Sequence, residues 1–244
     1  NRWWGHLGGT IGRVGSVFCD RCARGGPAVR VDPALWAWGG VNGDERRPLV
    51  PNLWFNYNRE DGGRTRFFNV SPGMSIRAST RFSSWLGASF SWNRRDNQWY
   101  GNLTDGTGVR HYTFAHLEQR TASLTWRGDF TFTPDLTLQL YVQPFVSKGT
   151  YSNVRELADP RAGAYDDRYQ PYGDPAVAGN PGGFNFKQFR SNMVLRWEYL
   201  PGSTLFLVWA QGRGASDATE GTRSITGDFG DLFRRRADNT FLVK

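Results

Sequence analysis

The chain has 244 residues, enough for one large β domain or two small ones, and its 30 Lys and Arg outnumber 22 Asp and Glu for a net charge of +8. Mean hydropathy is −0.57, and no run approaches the roughly 18 apolar residues that a membrane helix needs. A helical span is excluded, but a membrane barrel is not, because its strands alternate apolar and polar residues and so score as hydrophilic.

The 30 Gly, 11 Trp, 17 Phe and 9 Tyr favour pleated strands joined by tight turns, and no stretch shows a convincing helical period. The chain opens at Asn1 without a methionine and no basic-then-apolar segment precedes Trp3. An exported protein with this start reads as a mature or truncated piece. Gly8-Gly9-Thr10-Ile11-Gly12 lies in a Gly-rich strand with no helix after it, which argues against a phosphate cradle. The polar stretch 19–33 begins with Cys19-Asp20-Arg21-Cys22. A zinc half-site would want a second pair or histidine partners, and a thioredoxin-like motif would want a βαβ setting. In an exported chain a local disulfide is the favoured reading, with free thiols next and a metal third.

After the polar stretch 59–65 the alternation is regular. Phe68, Val70, Pro72, Met74, Ile76 and Ala78 face one way; Asn69, Ser71, Gly73, Ser75, Arg77 and Ser79 face the other. A short turn near 80–84 leads to Leu86, Ala88, Phe90 and Trp92, alternating with Gly87, Ser89, Ser91 and Asn93. Beyond the polar stretch 102–110 stand His111 and His116, five apart and so predicted on opposite faces of a strand. Ala122, Leu124, Trp126, Gly128, Phe130 and Phe132 then oppose Thr121, Ser123, Thr125, Arg127, Asp129, Thr131 and Thr133. The tight turn Thr133-Pro134-Asp135 follows, and Leu136, Leu138, Leu140, Val142, Pro144 and Val146 form the returning apolar face.

The stretch 151–183 is read as a long external loop. Its Glu156, Asp159, Asp166, Asp167 and Asp174 stand among tyrosines, a set that suits sugar or Ca²⁺ but matches no calcium-loop spacing. Met193, Leu195, Trp197 and Tyr199 lead to the turn Leu200-Pro201-Gly202-Ser203, and the strand after it, Leu205 to Trp209, is apolar on both faces. In the polar stretch 214–238, Asp228-Phe229-Gly230 spells a kinase tripeptide without the rest of a kinase and is chance. Arg234-Arg235-Arg236 is the nearest thing to a basic patch. The other arginines are dispersed, so the charge is read as solvated loop ends and a polar lumen, with no nucleic-acid partner.

The arms of roughly 10–15 residues exceed the 5–6 usual in soluble sheets. Short turns alternate with long loops, as in outer-membrane barrels. The fold class expected is therefore all-β: an antiparallel up-and-down transmembrane β-barrel, partial, with about ten strands in this chain. Arg77, Arg127, Asp129, Arg196 and Glu198 are expected to face the lumen, and Trp3, Trp4, Trp85, Trp99, Tyr100, Tyr112, Phe114 and Tyr199 to form interfacial girdles. Alternation alone leaves open a soluble barrel that turns its apolar face inward. A secreted glycan-binding protein or glycosidase is the alternative; Glu118, Glu156 and Glu198 are candidate carboxylates, but no motif singles out a pair. No catalytic, cofactor or metal site is expected, and the chain is read as not an enzyme.

Several stretches carry a resemblance: Ala23-Arg24-Gly25-Gly26-Pro27, the run from His111 through Asp135-Leu136, Leu138-Gln139-Leu140-Tyr141-Val142-Gln143-Pro144-Phe145, 195–209, and Asp238-Asn239-Thr240-Phe241-Leu242-Val243-Lys244. Together they resemble the bacterial family called domain of unknown function 5916. The resemblance implies an N-terminal family 9 carbohydrate-binding-like module followed by an outer-membrane barrel, of which residues 1–244 are the C-terminal portion. It implies localisation in the bacterial outer membrane, outer-membrane lipid as a partner, and a link to polysaccharide capture or uptake. The family's last strand continues past Val243-Lys244, so the terminal assembly signal is expected to lie outside this sequence. The resemblance brings no catalytic residues.

Overall fold

The computed structural model describes residues 2–244. Thirteen strands follow one another: β1 (Trp4–Gly12), β2 (Val17–Cys19), β3 (Val29–Val31), β4 (Ala34–Asn42), β5 (Leu49–Glu60), β6 (Thr65–Ser79), β7 (Phe82–Thr104), β8 (Arg110–Thr133), β9 (Leu136–Leu157), β10 (Tyr169–Pro171), β11 (Gly183–Leu200), β12 (Ser203–Asp217) and β13 (Asp238–Val243). Two helices interrupt them, α1 (Pro175–Gly179) and α2 (Ile225–Arg234). The protein is all-β and antiparallel. One sheet runs β1-β4-β5-β6-β7-β8-β9-β11-β12-β13; β10 joins β9 beyond the point where β11 starts, and β2 and β3 form a separate hairpin. The ten strands of the main path match the number expected from alternation. The sheet does not close among the described residues, because β1 and β13 are its two edges.

The sequence underestimated three features. Strands β7, β8 and β9 hold 23, 24 and 22 residues, well beyond the arms that alternation marked. Their outer halves are bulged, with register shifts at Arg95/Gln98, Trp99/Gly101 and Phe114/His116, and bulges break the strict period of two that alternation relies on. Residues Tyr151 to Leu157, expected in a loop, complete β9. Two helices form where none was expected. Each is short and capped by a side chain, Asp174 accepting from the Ala176 amide and Ser224 from the Gly227 amide.

Successive strands run in opposite directions, so one end of the sheet carries only short connections: 43–48, 80–81, 134–135 and 201–202. Gly202 supplies the positive φ that a type II turn needs there. The other end gathers 13–33, 61–64, 105–109, 158–182 and 218–237. The cores lie at this end, where the loops pack on the outer parts of β8 and β9. One cluster is Ala23, Val29, Phe114, Tyr165 and Tyr169; the other is Ala115, Val154 and Tyr172. The molecule thus has a packed cap at its long-loop end and a bare sheet below it.

Register decides the two faces of that sheet, because residues directly opposite one another point the same way. Met74, Leu86, Trp126 and Val142 are successive partners across four strands, and Leu140, Met193 and Trp209 continue the same face. Its apolar side chains lie open: Leu7 is 77% exposed, Leu86 45%, Leu124 44% and Phe241 73%. The indole of Trp126 on this face is satisfied within the protein, donating to Ser84 Oγ at 2.9 Å. Phe206 and Val208 fall on the opposite face, which resolves the orientation of β12.

Candidate functional site

The opposite face is polar and internally hydrogen-bonded. Asn69 Nδ2 donates to Ser89 Oγ at 2.8 Å, and Ser71 Oγ donates to Asn69 Oδ1 at 3.0 Å. Farther along β7, Asn93 donates to Gln119 at 3.1 Å, Gln119 donates to Ser147 at 2.9 Å, and Thr121 and Ser147 share a bond of 2.8 Å. Asn93 and Gln119, and Thr121 and Ser147, are direct partners in the sheet; the other bonds run diagonally or along one strand between residues of the same face, so the chain of amides and hydroxyls follows from alternation.

The structure puts Arg77, Arg127, Asp129, Arg196 and Glu198 on this polar face, in two places. Arg77, Arg127 and Asp129 line a cleft of about 410 Å³ at the short-turn end, with Asn52, Ser75 and Trp85. The guanidinium of Arg77 donates to the Arg47 carbonyl at 3.2 Å, and that of Arg127 lies 5.4 Å from the centroid of Tyr141. Arg196 and Glu198 pair with each other at 2.7 Å, and Glu198 also accepts from the Gly202 amide at 3.1 Å, tying the strand to its turn.

The cap is built on two nodes that no motif announced. Asp96, lifted by the first bulge of β7, accepts from Arg155 at 3.1 Å and from the Tyr165 hydroxyl at 2.9 Å, and lies 2.9 Å from His116 Nδ1. Burial pushes its carboxyl up, but the bond to His116 and the Arg155 charge together hold it below its ordinary value. Burial likewise raises the Tyr165 and Tyr169 phenols, first through desolvation, so both stay neutral. Arg168 is 1% exposed and donates to the carbonyls of Arg30, Ala162 and Gly163 and to Asp32, the last at 2.6 Å. It locks the 13–33 and 158–182 loops together.

Cys19 and Cys22 are joined as a disulfide at the end of β2, beside a cavity of about 440 Å³ that also meets Arg24, Glu60, Trp99 and Tyr169. The sulfurs are thus committed to each other. Among the described residues no group of three or more His, Cys, Asp or Glu side chains is arranged to hold a metal ion.

The two histidines of β8 belong to different clusters, His116 to Asp96 and His111 to Glu156 and Asp105. The bond to Glu156, then that to Asp105, raises the His111 pKa. A histidine raised in the folded state stabilises fully below its unfolded pKa, about 6.5, and loses that contribution as pH climbs through the higher folded value. The 105–109 loop is therefore expected to exchange its amide protons faster, after correction for intrinsic rates, at about pH 9 than at about pH 6. A His111→Gln protein that keeps the same pH dependence would refute this assignment.

Other expected sites disperse. Glu156 pairs with His111, Asp166 with Arg64 at 2.9 Å, Asp159 accepts from the Arg161 amide and Asp174 caps α1, so these four carboxylates of 151–183 are spent separately. Glu198 sits at the short-turn end. Glu118 opposes Thr150, six residues before Glu156 on β9, and about 20 Å of strand separates such positions. A glycosidase pair stands about 5–10 Å apart, so these three do not form one. Of the expected girdle, Trp99, Tyr112 and Phe114 pack into the cap core and Tyr100 stacks edge-on with Tyr151, because the strands carrying them run past the belt into the loops. Trp3, Trp4, Trp85 and Tyr199 are exposed, but register puts Trp4 and Trp85 on the polar face, so they do not belong to a girdle on the apolar one.

The sequence profile described as Domain of unknown function (DUF5916) matches residues 16–244. The chain belongs to this family. The match takes in every strand from β2 to β13 and leaves only β1 outside it. No curated protein and no solved structure matches the DUF5916 chain. Its chemistry is therefore argued from its own two faces and its cap.

Proposed function

We propose that this DUF5916 chain forms the wall of an outer-membrane β-barrel, with its apolar face against acyl chains, its polar face toward a hydrated lumen and its cap at the cell surface. The height of the apolar belt carries this reading. The apolar face runs over 68–78 on β6, 122–132 on β8 and 136–146 on β9, with Ala122, Pro144 and Val146 at its upper end buried within the protein. About eleven residues at roughly 3.3 Å, tilted near 45°, give about 25 Å, the height of the apolar band on such barrels. A soluble sheet would have to cover that face, and the two cores lie in the cap instead. Backbone groups in lipid must all be paired, so this reading requires further strands that join the β1 edge to the β13 edge.

The function that follows is passage or capture of hydrophilic solutes, with polysaccharide at the cell surface as the substrate class. The Asn, Ser, Thr and Gln ladder of the polar face suits hydroxyl-rich molecules, and the charged cleft lies at its inner end. The full-length protein is expected in the outer-membrane fraction and should migrate differently on a gel before and after boiling. Purification as a monomer without detergent would overturn the proposal.

A further inference from the structure

Directly above the belt, on the same face, the side chains change from apolar to basic. Arg59 opposes Arg66, and Arg66 opposes Arg94, so three guanidiniums stand side by side across β5, β6 and β7. Arg120 on β8 adds a fourth, opposite Trp92. All four are exposed. Like charges placed directly opposite in a sheet repel, and a protein has no folding reason to line them up. Their own partners are few. Arg59 and Arg66 donate only to the carbonyls of Gly62 and Gly63, at 3.4 and 2.8 Å, while Arg94 and Arg120 have no hydrogen bond or ion pair among the described residues. Two acids share this surface: Glu118 stands opposite Arg94 and lies 3.6 Å from His116, and Glu220 pairs with Lys148 at 3.4 Å; both line the cleft beside the row, where the arginines outnumber them.

Just below the row, Phe68 and Trp92 stack with centroids 5.8 Å apart and are 39% and 46% exposed. A cleft of about 480 Å³ runs between these rings and Arg66, Arg94 and Arg120. Anion-binding groups thus sit at one edge of an apolar surface, the arrangement that complements an amphiphile with a phosphate head and hydrocarbon tails. Helix α2 packs on the same face over β9, β11 and β12, with Phe233 against Phe189 and Arg235 paired with Asp231.

We infer that Arg59, Arg66, Arg94 and Arg120 form a docking site for the phosphate groups of a lipid in the leaflet on the long-loop side. The inference rests on the reading that the apolar face lies against lipid. Planar guanidiniums bind phosphate oxygens through paired N–H donors, and the aromatic pair below receives the first part of the acyl chains.

The test uses the full-length protein folded in detergent micelles. Native mass spectrometry follows binding of bis-phosphorylated lipid A, of the same lipid stripped of its phosphates, and of inorganic phosphate. The intact protein is expected to favour the phosphorylated lipid. Arg94→Gln with Arg120→Gln should weaken that binding about tenfold or more, the loss expected for charge-assisted hydrogen bonds, with the stripped lipid unaffected and Arg94→Lys with Arg120→Lys retaining part of it. Equal binding of the two lipids by the intact protein, or unchanged binding by the Gln variant, overturns the inference. Equal competition by inorganic phosphate would make the row a soluble-anion site and overturn the lipid assignment. If the Gln variant loses its heat-modifiable gel shift, the comparison of the two lipids on the intact protein decides alone. An intact protein that stays monomeric without detergent fails the barrel reading instead, a separately visible result.

Discussion

Leu86→Arg is expected to cost about 2–4 kcal/mol of folding stability in a phospholipid bilayer, while Thr125→Arg should stay within about 0.5 kcal/mol. The two positions lie at one height on neighbouring strands, since Leu86 opposes Trp126 and Thr125 opposes Gly87, but on opposite faces. Leu86 is 45% exposed on the apolar face, so nothing in the protein could pair an arginine there, and lipid would have to solvate it. At Thr125 the arginine would join a face already carrying Arg127 and Gln143. Urea titration of both variants refolded into vesicles measures the difference. Equal losses would show that the faces are assigned wrongly.

Asp228→Ala is expected to loosen α2 by about 3 kcal/mol, the lower end of the range for breaking a buried ion pair. Asp228 is 1% exposed and lies 3.1 Å from Lys187 and 3.9 Å from Lys148, themselves 4% and 6% exposed. Its removal strands positive charge against the apolar Val146 and Leu232, which are fully buried. The loss is moderated because Asp231 keeps its contact with Lys187 at 3.0 Å and Glu220 its contact with Lys148 at 3.4 Å. Amide exchange across 225–234 should accelerate in this variant and not in Asp20→Ala, which alters an exposed loop carboxylate. Replacing the pair together, Asp228→Leu with Lys187→Met, should recover much of the protection, since apolar groups of similar size often substitute for a buried ion pair. A double variant as loose as the single one would mean that the charges hold α2 by more than their mutual neutralisation.

Much of the sheet was legible from residue order because the signal is local. A strand in a sheet with one apolar and one polar face must alternate, and a short turn must supply Pro, Asp or Gly at fixed positions; both show in 122–146 and again in 193–203. The cap was not legible. Bulges at Asp96 and Asn153 break the period, and Phe114 on β8 meets the loop that holds Tyr165 and Arg168 only after strands distant in sequence have paired. Asp228-Phe229-Gly230, dismissed as a chance tripeptide, is part of α2, and its aspartate is among the most buried charges of the chain. Nothing around it in sequence marks that burial, because Lys148 and Lys187 arrive from β9 and β11.

The arginines show the same division most plainly. By itself the sequence determined that strands would form, that each would have an apolar and a polar face, and that their short and long connections would separate to opposite ends. Read along the chain, Arg59, Arg66, Arg94 and Arg120 are scattered, and their charge looked like solvated loop ends and lumen. Only the pairing of β5, β6, β7 and β8 set them in one row, on the apolar side and just above the belt. Strand register is a long-range property, fixed by which residues meet across the sheet, and it alone turned dispersed charge into a surface.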